Sequence, residues 1–320
     1  MKRKSLKIII SILLVLLSYG FIIYKIVNLE ELKVLTFANQ NFKCIDFWRI
    51  IILFLLMFLN WSLETIKWRI LVEKIQEFTF VDALKAVFSG ITIGIFTPNR
   101  LGEIGGRAMF LNKGKRTFGV LATGVGSLAQ FLTTVTTGII GLILVLALYP
   151  DKFRIGSVFN SISSGLLFIL FLFLIWSYFN VYKIKPLFFK FSFFKKRADQ
   201  LDVFSEIKTI SLLQVALLSF LRYFVFMSQF FLLLKIFNIH LTITQAYISI
   251  SLTYLFTSLI PTSTLIELGI RGSLAIFFIG FFSNNSLGIV LSTSILWIIN
   301  LAIPAIIGSV FLLKKSSNKN

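Results

Sequence analysis

Long apolar runs constrain this chain more than any other feature. Six of them, at 6–27, 47–66, 118–148, 161–182, 210–237 and 286–313, each approach or exceed the length of a bilayer crossing. An α-helix needs about 20 apolar residues to cross a hydrocarbon core about 30 Å thick. No water reaches that depth, so each backbone N–H and C=O must be satisfied internally, by a helix or a closed barrel. Runs this long, without period-2 alternation, select helices. The expected fold class is therefore all-α: a polytopic membrane helix bundle forming a single integral membrane domain over 1–320. Composition agrees, with 57% hydrophobic residues against about 45–50% in soluble domains.

The formal net charge is +19. In a soluble protein such a charge suggests a nucleic-acid partner. Here the basic residues cluster between the apolar runs, and no helix-turn-helix, zinc-finger or RNA-binding signature is present, so no nucleic-acid partner is expected. The clustering follows the positive-inside rule. With the N-terminus inside, the inner segments 1–7, 67–85, 112–117, 183–209 and 314–320 hold about 21 of the 32 Lys and Arg, against about seven outside. Both termini are then cytoplasmic and the chain is multi-pass in the cytoplasmic (inner) membrane. Met1-Lys2-Arg3-Lys4 precedes an apolar run too long for a signal-peptide core, with no small-residue cleavage site, and reads as an uncleaved first helix. The basic loop 183–209 interleaves Lys with Phe. That pattern suits an anionic membrane surface and equally an ordinary inner loop with aromatic anchors. Cys44 is the single cysteine, so no intrachain disulfide can form. No His/Cys/Asp cluster suggests a metal, and no cofactor is expected. His240 reads as an interface residue.

Two further apolar stretches, 83–111 and 244–282, are broken near the middle by Pro98 and Pro261. Proline removes a helix hydrogen bond, so each reads as a re-entrant helix hairpin that enters the bilayer and returns. The two stretches also match each other. With Phe78 on Leu241, Thr79 falls on Thr242, Ala83 on Ala246 and Pro98 on Pro261. One extra residue then brings Glu103 onto Glu267, Gly105 onto Gly269 and Arg107 onto Arg271. Three spans separate the copies, and an odd number of crossings reverses orientation. The pattern is an inverted repeat with halves at about 47–148 and 210–313. Paired Pro/Gly-interrupted segments in such repeats point to a binding site near the midplane.

Glu103 and Glu267 are the acids placed deep in the membrane, each with an Arg four residues on and so on the same helix face. The pairs either staple the hairpins or hold arginines that receive an anionic headgroup. Intramembrane ionisable residues are functional hypotheses by default, and the two roles are compatible. Arg100 follows the first break beside a helix opening near Leu101, where free N–H groups favour an anion; it either meets a phosphate or snorkels to the interface. Arg222, mid-span with no acid three or four residues away, must face the interior, as a cavity residue or paired to another helix. In 118–148, Thr123, Ser127, Gln130, Thr134 and Thr137 share one face, as a cavity lining or as polar helix–helix contacts. Gly90-x-x-x-Gly94 and Gly102-x-x-x-Gly106 read as close-packing sites.

At 96–111, FTPNRLGEIGGRAMFL resembles the transmembrane region of lysylphosphatidylglycerol synthase/flippase, the multiple peptide resistance factor, and its stand-alone relatives. Their first motif has the form P-x-R-x-G-E-x-x-x-R, which Pro98, Arg100, Gly102, Glu103 and Arg107 match one by one. The second motif departs: Ser263-Thr264-Leu265-Ile266 occupies the turn, and Glu267 precedes Arg271. The resemblance implies binding or translocation of an anionic phospholipid or lipid-linked headgroup, such as a polyprenyl phosphate. The substrate-contacting residues would be Arg100, Glu103, Arg107, Arg222, Glu267 and Arg271. The chain ends soon after its last span, which implies the lipid-translocating half rather than lysyl transfer. No catalytic motif marks it as an enzyme. The alternatives are a membrane subunit or accessory protein of a lipid-linked glycosyl or aminoacyl transfer system, and a scaffold for a partner protein. A homo-oligomer is left open.

Overall fold

The computed structural model describes residues 44–97, 100–149, 165, 169, 171–180, 208–262 and 264–317. The expected span 6–27, the basic loop to residue 207 and the break residue Pro98 lie outside the described residues. Within them the chain is helical: α1 Cys44–Val72, α2 Phe80–Ile95, α3 Leu101–Ala108, α4 Arg116–Leu148, α5 Thr209–Ile236, α6 Ile243–Leu259, α7 Thr264–Ile279, α8 Ser286–Trp297 and α9 Ile303–Ser317. A 3₁₀ turn, Lys113–Lys115, leads into α4, and a π-helical segment, Ile298–Ala302, joins α8 to α9. Residues 171–179, inside the expected span 161–182, are also helical. Among the described residues four helical stretches are long and apolar enough to cross a membrane: Phe47–Val72, Lys113–Leu148, Thr209–Ile236 and Ser286–Lys314. The all-α membrane bundle expected from hydropathy is the observed architecture.

Both broken segments are helix–break–helix units, and their first helices start alike. Thr79 caps α2 by accepting from the Asp82 N–H at 3.1 Å. Thr242 caps α6 by accepting from the Gln245 N–H at 3.2 Å, while the Gln245 side chain returns to the Thr242 N–H. Each cap satisfies an N–H that the helix leaves unpaired. Asp82, in the first turn of α2 and outside the four spans, is held below the usual carboxylate range by hydrogen bonds from Lys85 and Thr79. The first break is tied by one side chain. Thr97 Oγ1 donates to Gly94 O at 3.0 Å and accepts from Gly102 N at 2.7 Å, linking the end of α2 to the start of α3. Arg100 opens α3 with φ 54°, in the left-handed region.

Packing divides the chain into two compact units. The first holds Leu59–Thr136, α5 up to Phe224 and the last helix from Pro304. The second holds α1 up to Phe58, α4 from Thr137 and Val225–Ile303. The boundaries fall inside α1, α4 and α5. In the first unit α2 and α3 meet on glycines: a Cβ on Gly106 would sit 2.7 Å from Gly90 Cα. The same α2 meets α9, where a Cβ on Gly308 would sit 2.1 Å from Phe88 O. Such small-residue contacts let membrane helices approach closely. The second unit has its own apolar core of Val145, Ile248, Leu252 and Phe278. There Gly141 closes against Ser251 and Gly138 against Leu255.

Candidate functional site

The end of α1 presents Asn60, Trp61, Glu64, Lys67 and Trp68 at helical spacing, and all five are buried in the first unit. Two charges on this face require partners, since an unpaired charge at the bilayer centre costs about 2.5–3.5 kcal/mol on insertion scales. Glu64 supplies the hub. Its Oε1 accepts from Arg107 Nη1 at 2.7 Å. Its Oε2 lies 2.6 Å from Lys67 Nζ and 3.0 Å from Arg222 Nη1. Glu64, Lys67 and Arg107 are 4%, 2% and 3% exposed, so these ion pairs are shielded from solvent.

Two side chains form the more open rim. Glu103, with 21% of its side chain exposed, pairs with Arg107 one turn along α3. Arg222, with 17% exposed, donates from Nε to Asn60 Oδ1 at 2.9 Å and from Nη1 to Gln130 Oε1 at 3.3 Å. Its guanidinium also lies over the Trp61 ring, 5.1 Å from the centroid. Thus Lys67, Arg107 and Arg222 face two carboxylates, with Arg100 half-buried at the opening of α3. Among the described residues, the buried donors of this unit that make no hydrogen bond include Arg107 Nε, Trp61 Nε1 and Ser219 Oγ.

The second unit repeats part of this. Glu267 pairs with Arg271 across one turn of α7. The Arg271 guanidinium lies over Tyr254, 5.8 Å from the ring centroid. Extending the repeat register back without a gap places Met227 opposite Glu64 and Phe230 opposite Lys67. Both are buried apolar residues. Glu64 and Lys67 therefore have no charged counterpart in the second copy. The polar residues of the second unit serve packing: Gln229 Nε2 donates to Leu53 O at 3.0 Å, and Asn300 Nδ2 donates to Gln229 Oε1 at 3.1 Å.

The two Glu–Arg pairs form at the expected spacing of four. Arg222 finds its acid on α1. The polar stripe of α4 is divided in use. Thr123 accepts from Trp68 Nε1 at 3.1 Å, Gln130 joins Arg222, Thr134 donates to Gln130 O at 3.0 Å, and Ser127 is exposed. Thr137 is buried in the second unit, where its carbonyl accepts from Tyr247 OH at 3.1 Å. Pro261 is exposed at the end of α6.

Two sequence readings require correction. Glu103 and Glu267 are not the only deep acids, since Glu64 is the most buried carboxylate of the cluster. Lys67 does not belong to the inner loop 67–85, because α1 continues to Val72 and turns Lys67 onto Glu64. The signal was present in the sequence, as Asn60, Glu64 and Lys67 repeat at spacings of four and three, one face of a helix.

Fold and cluster define a polytopic α-helical membrane protein that buries an ion-paired, predominantly cationic site. The chain belongs to the family of the lysylphosphatidylglycerol synthase TM region, whose model matches residues 5–308. Membership places it among lipid-related membrane proteins. No curated protein and no solved structure gives a significant match.

Proposed function

We propose that this protein binds an anionic lipid headgroup and moves it across the cytoplasmic membrane, with both termini on the cytoplasmic side. One observation carries the reading: within the first unit a buried cluster contains more cations than carboxylates. A purely structural staple needs equal numbers, as in the Glu267–Arg271 pair. Excess buried positive charge is stabilised by an anion, and guanidinium groups match phosphate geometry with paired donors. Arg222 and Glu103, the more open members, meet the headgroup first. Arg107 holds its phosphate, and Arg100 adds charge where α3 begins. The second hairpin, with its own Glu267–Arg271 pair, is a second candidate contact for the headgroup. Anionic phospholipids and polyprenyl phosphates share the required phosphate, and native mass spectrometry of purified protein distinguishes them by co-purifying mass.

The direct test uses proteoliposomes carrying fluorescent phosphatidylglycerol or phosphatidylcholine, with external dithionite reporting leaflet exchange. Wild type is expected to exchange phosphatidylglycerol faster than phosphatidylcholine. Arg222→Gln is expected to slow the phosphatidylglycerol rate at least tenfold while eluting as folded protein in detergent. Equal rates for the two lipids, or an unchanged rate in the variant, eliminate the proposal.

A further inference from the structure

We propose that Glu64 is the resident anion of the headgroup site: in the empty protein it occupies Arg107 and Arg222, and an incoming phosphate displaces it onto Lys67. The inference rests on the headgroup reading above and adds how the arginines stay paired while the site is empty. Three observations carry it.

First, one carboxylate contacts three cations from three helices. Glu64 takes Arg107 of α3 on Oε1, and Lys67 of α1 with Arg222 of α5 on Oε2. A phosphodiester carries the same single charge and presents two equivalent oxygens, so it satisfies the same pair of guanidinium groups.

Second, Lys67 lies on the helix of Glu64, three residues along. The pair can stay together whatever the arginines do. When a phosphate takes the arginines, Lys67 keeps Glu64 neutralised, and no bare carboxylate is left in a low-dielectric interior, where isolated charges are expensive. Arg107 retains Glu103, and Arg222 retains Asn60 and Gln130. Every charge thus has a partner both before and after the exchange. A buried lysine with no ligand role of its own is explained as the fallback partner.

Third, the cluster holds donors that Glu64 does not fill. Trp61 Nε1, on the ring beneath Arg222, and Arg107 Nε are buried without acceptors. Orphan donors of this kind cost about 1–3 kcal/mol each. A phosphate group has more acceptor oxygens than a carboxylate and can reach donors that the carboxylate leaves empty.

The test measures binding to the full-length protein in detergent, using dioctanoyl phosphatidylglycerol, dioctanoyl phosphatidylcholine and inorganic phosphate as separate probes. Glu64→Gln removes the competing anion and is expected to lower the Kd for dioctanoyl phosphatidylglycerol at least tenfold. Its exchange rate in proteoliposomes is expected to fall at least tenfold, because nothing ejects the bound headgroup. Lys67→Gln strands Glu64 on the arginines and is expected to weaken binding. Glu64→Gln/Lys67→Met removes a neutral pair, so it carries the same test should the single variant not fold, and it too is expected to bind more tightly than wild type. Inorganic phosphate binding that tightens in parallel identifies a site for phosphate as such; tightening for the lipid alone identifies a headgroup site. Unchanged or weaker phosphatidylglycerol binding in both Glu64 variants sinks the exchange while leaving the headgroup reading intact. Wild type that binds phosphatidylglycerol no better than phosphatidylcholine, with Arg222→Gln neutral, takes down both.

Discussion

Removing the guanidinium of Arg107 leaves Glu64 and Glu103 without their shared donor inside the first unit. Breaking one side of a buried ion pair costs about 3–5 kcal/mol, because the remaining charge stays desolvated. Arg107→Gln is therefore expected to lower the thermal midpoint of detergent-solubilised protein markedly. Glu103→Gln/Arg107→Gln is expected to recover a large part of the loss, since it removes opposite charges together. Fluorescence-detected size exclusion after heating measures both, and an unshifted midpoint in the single variant shows that the pairing is absent in the native protein. At this scale, local contacts were legible in the sequence: a spacing of four is enough to pair Glu103 with Arg107 and Glu267 with Arg271. Distant contacts were not. Arg222 meets Glu64 through packing of α1 against α5, and no spacing encodes that. Lys67 looks like a loop residue until α1 is seen to run on to Val72.

The hairpin of α2 and α3 depends on the absence of side chains along its seam. A methyl at Gly106 would fall 2.7 Å from Gly90 Cα, backbone that cannot swing away, whereas a methyl at neighbouring Gly105 meets nothing within 4 Å. Gly106→Ala is expected to cost about 1–3 kcal/mol, the range for overpacking, and Gly105→Ala to be near neutral. Paired melting curves decide this, and equal behaviour of the two variants removes the close-packed seam. The caps give a second measure: Thr79→Ala and Thr242→Ala each lose an N-cap worth about 1 kcal/mol and should lower the melting midpoint by similar amounts. The repeat register anticipated this equivalence, since it aligned Thr79 with Thr242 before either was known to cap a helix. The spacings of Gly90 to Gly94 and Gly102 to Gly106 likewise anticipated close packing, but not that Gly308 of α9 would press on the other side of α2. The π-helical segment Ile298–Ala302 gave no sequence signal. It lies just before Pro304, whose missing N–H perturbs the hydrogen-bond ladder at that point.

For the whole chain, hydropathy marks which segments reach lipid but says little about which faces pack together. The four described spans therefore matched expectation, whereas the division into two units, with boundaries inside α1, α4 and α5, was invisible. Sidedness is different, because it is written in the loops. Lys and Arg resist translocation, and parity then fixes the rest. From Gly114 to Asn284 the sequence expects three full spans, at 118–148, 161–182 and 210–237, while the second broken segment contributes none or two crossings and leaves parity unchanged. Gly114 and Asn284 are both exposed on turns, and Cys44 is the only native cysteine. In a Cys44→Ser background, Asn284→Cys is expected to react with a membrane-impermeant maleimide in intact cells and Gly114→Cys only in inside-out vesicles. Opposite sidedness makes the two hairpins inverted copies, as the repeat register expects. Labelling of both positions from the same side means an even number of crossings between them. The repeat would then be parallel, and the proposed transport between leaflets would lose its basis, while the anion site proposed around Glu64 would be untouched by that result.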